Sequence, residues 1–245
     1  MVRNALLSIK NLNYDDWHLA FIDDGSIKPG KPVAEEILKE HLDKVTFYNT
    51  EHSIDDKNRQ GGSMVGVTMN QALADSNAEM AIMLCDDDAL VPSYFSDLRE
   101  WSMKNPDSHY CYSHVILYNP FEEKPHEEFD SPFLLRKISH QLHKFNRRKC
   151  WYNKTQQVYP EAKLDASQVA WRTYCNDKAL FPARRTCHLD SAFYRDLGQY
   201  YGQAKYSGFF GQYKGLHDDT LSIRDEDSRH IKFSKIYKVQ DLDKD

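Results

Sequence analysis

In the stretch Leu84-Cys85-Asp86-Asp87-Asp88-Ala89-Leu90-Val91-Pro92, three consecutive aspartates follow an apolar run and precede a proline. The run before the acids, residues 80–85, is almost entirely apolar, which is typical of a strand buried on both faces. A second run of this kind, residues 17–22, ends in Asp23-Asp24-Gly25-Ser26, which has the composition of a turn. The sequence therefore predicts two buried strands that each end in acidic residues.

Carboxylates at the ends of two strands indicate a ligand site. If both strands belong to one parallel sheet, their carboxyl ends lie on the edge where open α/β sheets bind ligands. Close carboxylates repel each other unless a cation or hydrogen-bond donors compensate, and Mg²⁺ or Mn²⁺ suits oxygen ligands. Taken alone, either cluster is an ordinary acidic loop, but the two together favour a metal site. The acidic residues are Asp23, Asp24, Asp86, Asp87 and Asp88.

Outside these two strands, the first half of the chain alternates helical and extended patterns. Apolar residues at helical spacing, or proline in the first turn, predict helices, and short β-branched or aromatic runs predict strands. This alternation is typical of an α/β domain with a mostly parallel sheet. The predicted helices cover residues 5–9, 32–42, 64–74 and 92–104, and further strands cover residues 45–48 and 110–118.

Composition narrows the class of protein. The 245 residues carry 32 basic and 37 acidic side chains, a net charge of −5, which argues against nucleic-acid binding. The sequence has neither an apolar run near the roughly 20 residues that span a bilayer nor a signal peptide. Five cysteines without a CxxC spacing are typical of reduced thiols, so we expect a cytoplasmic protein. The absence of a linker predicts one domain, residues 1–245.

The absence of two glycine-rich phosphate-binding motifs argues against two common kinds of nucleotide site. The first strand is not followed by GxGxxG, and GxxxxGK[ST] is absent, so a dinucleotide site and a P-loop are disfavoured. A metal held by acids can instead neutralise a diphosphate directly and stabilise it as a leaving group.

The order of these motifs resembles family 2 of the glycosyltransferases, which have the glycosyltransferase-A fold. That family carries a strand ending in DDGS or DDNS and a later strand ending in a DxD-type metal motif with a proline nearby. Three further parts are similar: Arg59 upstream of a helix, the acceptor-side segment 164–172, and the stretch 217–224, which resembles ED-x-x-L-x-x-R. The resemblance implies an α/β fold with a mostly parallel central sheet, a nucleotide-sugar-binding half (residues 1–118) and an irregular acceptor-binding half (residues 119–245).

The resemblance also assigns residues to the nucleotide. Asp24 would hydrogen-bond the base, with Asp23 beside it, and Arg59 would assist. Asp86 would contact the ribose. The implied donor is a nucleotide-diphospho sugar, most simply a UDP-sugar, and the implied acceptor is a glycan or another hydroxyl compound.

The register of the aspartate triplet leaves two sets of metal ligands open. Counting back from Pro92 favours Asp87 as the ligand of Mn²⁺ or Mg²⁺, whereas a strict DxD reading favours Asp86 with Asp88. His217 stands where the family has a glutamate, and it is a further metal ligand or a hydrogen-bonding residue. The metal-binding set implied by the resemblance is Asp87, Asp88 and His217.

By the same resemblance, the stretch 217–224 supplies the catalytic base. Asp218 aligns with the base because Leu221 and Arg224 then fall where the family has them, and Asp219 is the alternative. An inverting transfer needs a carboxylate that takes the proton of the acceptor hydroxyl as its oxygen attacks the anomeric carbon. The acceptor-side residues are Asp165 and Trp171.

Three features of the second half have two interpretations each. Trp171 is a core side chain or a wall of the pocket. The basic helix 136–149 is a solvated face or a site for a diphosphate or an anionic lipid, which would allow peripheral membrane association. The glycine- and aromatic-rich stretch 200–211 is a surface loop or a lid that stacks on a sugar ring.

The chain departs from the family at its start. The family begins with a strand before its first helix, whereas this chain starts within that helix, and the loss of a central strand would leave backbone groups of its neighbours unpaired. A catalytically silent nucleotide- or sugar-binding module is therefore one alternative function. A sugar nucleotidyltransferase and a metal-dependent phosphohydrolase are two others, although the glycine-rich basic loop of nucleotidyltransferases is absent near residue 1.

Overall fold

The computed structural model describes residues 2–50, 65–118, 166–183 and 189–215. In these ranges, no helix has both the length and the apolar character that a membrane crossing requires. The helices are α1 (Val2–Lys10), α2 (Lys31–Ile37), α3 (Val65–Ala74), α4 (Tyr94–Lys104) and α5 (Leu189–Tyr201). The strands are β1 (Leu19–Asp23), β2 (Val45–Asn49), β3 (Met80–Ile82), β4 (Ala89–Leu90), β5 (Tyr110–Tyr118), β6 (Val169–Arg172) and β7 (Lys205–Gly215). Short 3₁₀ turns lie at Leu42–Lys44, Ala166–Gln168 and Thr173–Asp177.

The helices and strands predicted in the first half of the chain are present, although their ends differ. Pro32 lies in the first turn of α2, where its missing N–H needs no partner. β3 ends at Ile82, three residues before the predicted end, because the chain then leaves the sheet for a turn at Asp86 and Asp87. The local sequence signals therefore identify these elements but not their exact bounds.

The described strands form two sheets, whereas the sequence predicted one mostly parallel sheet. β1 and β2 pair in parallel as one sheet, and five strands form the other in the order β3-β6-β5-β7-β4. In the larger sheet β5 and β7 are parallel, whereas the β3–β6, β5–β6 and β4–β7 pairs are antiparallel. The prediction of a mostly parallel sheet is wrong because every antiparallel pair contains β4 or β6, two short strands that the sequence pattern did not predict.

The two strands that lead to acids therefore lie in different sheets. Among the described strands, β1 pairs with β2 alone and β3 with β6 alone. All residues of β1 and of β3 are half-buried, so the prediction of burial on both faces is wrong for both strands. Phe21 of β1 and Phe47 of β2 nevertheless pack in the same hydrophobic core as Ile82, Leu84 and Leu90. Side-chain packing thus joins the two sheets where backbone hydrogen bonds do not.

Helix α1 covers the edge strand β4. Its buried residues include Leu6, Ile9 and the polar Ser8. The Ser8 hydroxyl donates to the carbonyl oxygen of Ala5 (2.6 Å) and accepts from the backbone N–H of Leu90 (3.0 Å). An edge strand has outward backbone groups that need partners, and here a helix side chain supplies one. The position of β4, directly after the acidic residues, is fixed in this way.

The stretch 200–211 is neither a lid nor a surface loop; it forms the end of α5 and most of β7. β7 lies between β5 and β4, and its pairing with β5 has register shifts that indicate bulges. Gly208 has a φ of 86°, a conformation that glycine adopts without strain. At Gly211 a Cβ atom would lie 2.1 Å from Ser113 Oγ. The glycines that suggested a flexible loop instead allow a bulged strand to pack closely.

Trp171 on β6 belongs to a second hydrophobic core, in which it is 1% exposed. Its ring centroid lies 4.9 Å from that of Phe193 on α5, and Phe193 stacks on Phe181 at 4.1 Å. The indole N–H donates to Asn176 Oδ1 (3.0 Å). The structure therefore supports the core interpretation of Trp171, since a buried ring offers almost no surface to an acceptor.

Arg172, the last residue of β6, ties the larger sheet to the end of α4. Its guanidinium donates to the carbonyl oxygens of Ser102, Asn105 and Ser108 at 3.1, 3.3 and 3.0 Å. The carbonyl oxygens of Ser102 and Asn105 also accept from the backbone N–H groups of Asn105 and Ser108, and the guanidinium adds a charged donor that helps to cap the end of α4. Arg172 also forms an ion pair with Glu79, which accepts from the Ser102 hydroxyl. The Ser102 hydrogen bond, aided by Arg172, lowers the pKa of Glu79.

Replacing Arg172 with alanine should lower the free energy of unfolding by about 3 kcal/mol, because three carbonyl oxygens lose a charged donor and Glu79 loses its ion-pair partner. Arg3→Ala is the matched control. Arg3 pairs with Glu36 at 2.6 Å, but these side chains are 55% and 62% exposed, so we expect little change. Urea denaturation followed by circular dichroism measures both variants. Equal effects of the two substitutions would contradict the capping role of Arg172.

Candidate functional site

The acidic segment connects the two edges of the larger sheet. Residues 83–88 lead from β3 at one edge to β4 at the other. Four inter-strand spacings of about 4.8 Å separate the two edge strands by about 19 Å. The seven residue steps from Ile82 to Ala89 span about 24 Å at most when the chain is fully extended. A turn at Asp86 and Asp87 uses part of this reach. The backbone N–H of Asp88 closes the turn by donating to the carbonyl oxygen of Cys85 (3.2 Å). We call residues 85–88 the acidic turn.

Three side chains of the acidic turn lie close together. Cys85 Sγ, a carboxylate oxygen of Asp87 and a carboxylate oxygen of Asp88 are all within 4.8 Å of one another. The first and fourth residues of a β-turn approach each other, which explains why Cys85 and Asp88 meet. Asp86 does not belong to this group of described residues. The geometry groups Asp87 with Cys85 and Asp88, and the choice between Asp87 and Asp86 as a metal ligand stays a prediction.

Asp88 is the buried member of the group. It is wholly excluded from solvent, and the Ser167 hydroxyl donates to its Oδ2. Ser167 lies in the 3₁₀ turn before β6, where the side-chain amide of Gln168 donates to the carbonyl oxygen of Ser113 (3.0 Å). Gln212 of β7 is also wholly buried, and its side-chain amide has no hydrogen-bond partner among the described residues. The hydrogen bond from Ser167 therefore links Asp88 to the turn that precedes β6.

Asp23 shapes the loop that follows β1. Its Oδ1 accepts from the backbone N–H of Ser26 and its Oδ2 from that of Gly30, both at 2.9 Å. Between them, Gly25 has a φ of 68°, which suits glycine in a tight turn. Both carboxylate oxygens of Asp23 thus organise the loop that carries the neighbouring Asp24.

Asp24 is held by the residue that follows β2. The Thr50 hydroxyl donates to Asp24 Oδ1 (2.8 Å), and the Thr50 backbone N–H donates to the carbonyl oxygen of Asp23 (3.0 Å). Thr50 is buried, and its bonds extend the β1–β2 pairing past Asn49. The Asp24 carboxylate is therefore fixed at the carboxyl end of a parallel pair, where α/β proteins bind ligands.

The structure brings the predicted residues together in two groups. Asp23 and Asp24 follow β1, and the aspartate triplet lies between β3 and β4. Phe21 and Leu84, which precede the two groups in sequence, pack in one core. The prediction that both groups meet at one donor molecule stays a prediction. Five other predicted site residues lie outside the described residues: Arg59, Asp165, His217, Asp218 and Asp219.

Sequence analysis missed Cys85. The cysteines were interpreted only as reduced thiols, and the site was assigned from carboxylates alone. A signal was present in the spacing, because a turn at Asp86 and Asp87 brings the residue before it close to the residue after it. A thiol at the first position of an acidic turn is therefore a candidate metal ligand.

The donor set of the acidic turn fits a divalent cation. Carboxylate oxygens bind Mg²⁺ and Mn²⁺, and a thiolate binds Zn²⁺ and similar borderline metals. Asp87 and Asp88 repel each other when both are ionised, and a cation between them removes that repulsion. Three protein donors also leave coordination positions for other ligands, as in catalytic metal sites.

Solved structures of known proteins share this fold. Structures of a fragment of S. aureus TarS, residues 1–349, in complex with UDP and with UDP-GlcNAc, superpose with TM-scores of 0.59 and 0.57. They are 16% and 15% identical in sequence, and the match covers 88% and 92% of this chain. It covers 56% and 57% of the TarS fragments, so this chain spans less than two thirds of their length. At this identity the likeness shows the fold.

Sequence comparison identifies the family. No curated protein sequence matches the chain. The sequence model described as "Glycosyl transferase family 2" matches residues 1–164, more than half of the chain. The expectation of a mixed α/β glycosyltransferase-A fold is confirmed by this match together with the TarS structures. The chain belongs to family 2 of the glycosyltransferases.

Proposed function

We propose that this protein is a metal-dependent glycosyltransferase that moves a sugar from a UDP-sugar to an acceptor hydroxyl with inversion. Family membership supports the transferase class. The TarS structures with UDP and UDP-GlcNAc support a uridine nucleotide in the donor. The observation that carries the proposal is the close grouping of Cys85, Asp87 and Asp88, because a metal held there would face a diphosphate leaving group.

Donor binding would use both groups of acids. Asp24, held by Thr50, accepts a hydrogen bond from the base, and Asp23 maintains the loop around it. Arg59 binds the base or the phosphates, for which a guanidinium is well suited. Asp86, at the exposed part of the acidic turn, accepts from the ribose hydroxyls.

The reaction centre would combine a metal and a base. Asp87 and Asp88, with His217 as a further ligand, hold Mn²⁺ or Mg²⁺, which when bound stabilises the departing diphosphate. The Ser167 hydroxyl orients the Asp88 carboxylate before the metal arrives. Asp218 takes the proton of the acceptor hydroxyl, with Asp219 as the alternative base.

The residues that bind the acceptor, the domain organisation and the location of the protein in the cell are also proposals. We place Asp165 near the acceptor, a glycan or another hydroxyl compound, whereas Trp171 is buried in the core and does not contact it. The chain would act as one domain, with residues 1–118 binding the donor and residues 119–245 binding the acceptor. We expect a cytoplasmic location, with residues 136–149 able to contact an anionic membrane surface.

A panel of nucleotide sugars tests the proposed function. A UDP-sugar should raise the melting temperature in the presence of Mn²⁺ or Mg²⁺ and should be hydrolysed slowly without an acceptor. Donor binding without any turnover would indicate a silent binding module. Phosphate release from simple phosphoesters would indicate a phosphohydrolase, and formation of a nucleotide sugar from a sugar phosphate would indicate a nucleotidyltransferase.

Asp218→Asn should lower the turnover number by about 100-fold or more, because an amide cannot accept the proton of the acceptor hydroxyl. The dissociation constant for UDP should change by less than about twofold, since the base does not contact the nucleotide. Asp219→Asn is the matched control and should keep most of the activity. The reverse pattern would make Asp219 the base.

Asp24→Asn should weaken UDP binding by about tenfold, because a charged acceptor is replaced by a neutral one. Thr50→Val, which replaces the orienting hydroxyl by a methyl group of similar size, should weaken binding by about threefold. Asp16→Asn, at an exposed position before β1, is the control and should leave the affinity unchanged. Isothermal titration calorimetry measures all three. An Asp24→Asn variant with wild-type affinity would remove this residue from the nucleotide site.

Asp87→Asn should reduce metal affinity by about 10- to 100-fold and shift the metal activation curve to higher concentrations, because a charged ligand is lost. EDTA should abolish activity of the wild-type protein, and added Mn²⁺ should restore it. Asp107→Asn, at an exposed carboxylate in another loop, serves as the control. Full activity in EDTA would show that the transfer does not depend on a metal.

A further inference from the structure

The described cysteines differ in their surroundings. Cys111 and Cys175 are buried, and burial raises the pKa of the Cys111 thiol and raises that of Cys175 to about 12. Such thiols remain protonated at neutral pH and do not bind metals readily. Cys85 is only half-buried, and its Sγ lies within 4.8 Å of carboxylate oxygens of Asp87 and Asp88. Of the described cysteines, Cys85 is therefore the one in surroundings suited to a metal ligand.

We infer that Cys85 is a direct ligand of the metal site and makes the site prefer Zn²⁺ and Co²⁺, and to a lesser degree Mn²⁺, over Mg²⁺. This inference rests on the proposed function, since it concerns the metal of the same site. Thiolates favour borderline metals, whereas Mg²⁺ demands an octahedral shell of oxygen atoms. A cysteine in this position thus changes which cation the site selects.

The distances allow joint coordination. Donors bound to one ion at about 2.0–2.3 Å can be at most about 4.6 Å apart, so the donor atoms, all within 4.8 Å, need only a small movement. The hydrogen bond between the Asp88 N–H and the Cys85 carbonyl keeps the two ends of the turn together. Ser167 fixes the wholly buried Asp88 carboxylate. Two of the three donors are therefore positioned before a metal binds.

Binding of a metal to Cys85 has a simple chemical balance. The S–H bond breaks, a metal–sulfur bond forms, and the proton passes to solvent, without any redox change. When ionised, Cys85, Asp87 and Asp88 together carry three negative charges, one more than a divalent cation neutralises, and three donors leave coordination positions for diphosphate oxygens.

Cobalt provides a readout that does not depend on activity. Titration of the metal-free full-length protein with Co²⁺ should produce the near-ultraviolet absorption band of a cobalt–thiolate bond, with saturation at one ion per chain. Cys85→Ser should lose the band, and its Co²⁺ and Zn²⁺ affinities should fall by about 10- to 100-fold while its Mg²⁺ affinity changes little. Cys175→Ala, which removes a buried thiol of the second core, should keep the band.

Cys85→Asp is the second test, and it predicts a gain in Mg²⁺ affinity as well as the loss of the absorption band. A carboxylate in place of the thiol should abolish the cobalt–thiolate band and raise Mg²⁺ affinity by about tenfold, because an oxygen donor then replaces the sulfur donor. Persistence of the band in Cys85→Ser or Cys85→Asp, or a wild-type protein that binds Mg²⁺ as tightly as Zn²⁺, would overturn the inference. UDP-sugar turnover by a wild-type protein without the band would overturn it and leave the proposed function intact.

Discussion

The burial of Asp88 constrains the rest of the site. A carboxylate removed from water costs several kcal/mol unless hydrogen bonds or a cation compensate. Ser167 supplies one hydrogen bond, and it lies in place because β6, which follows it, pairs with both β3 and β5. After Asp88 the chain enters β4, which is held by β7 and by Ser8 of α1. The acidic turn is therefore fixed by elements that are far apart in the sequence.

This dependence on distant elements explains which parts of the fold could be predicted. Helices α1–α4 and strands β1, β2, β3 and β5 carry local signals, namely apolar spacing, a first-turn proline or a short apolar run. β6 has only four residues, and β7 contains Gly208 and Gly211 among aromatic residues, a composition typical of loops. Such strands are stabilised by their neighbours in the sheet, and their own sequence does not reveal them. The antiparallel pairings were missed for this reason.

The sequence predicted that acidic residues form the site, but it did not predict what each aspartate does there. Adjacent aspartates look alike in a sequence, and only the hydrogen bonds show that Asp23 holds the loop while Asp24 is held by Thr50. The register of the triplet was open for the same reason. Cys85 joins Asp87 and Asp88 through the geometry of a turn, which depends on where β3 ends. The spacing of the residues in the sequence does not reveal where β3 ends.

The separation of the two sheets has a consequence for the donor. Asp24 and the acidic turn belong to sheets that no described backbone hydrogen bond connects, and Phe21, Phe47 and Leu84 join them by side-chain packing. Close packing of side chains, rather than a hydrogen-bonded ladder, therefore sets the separation of the two groups. A donor bound at its base by Asp24 and at its diphosphate by the metal would bridge both sheets. Recognition of the nucleotide would thereby be coupled to alignment of the leaving group.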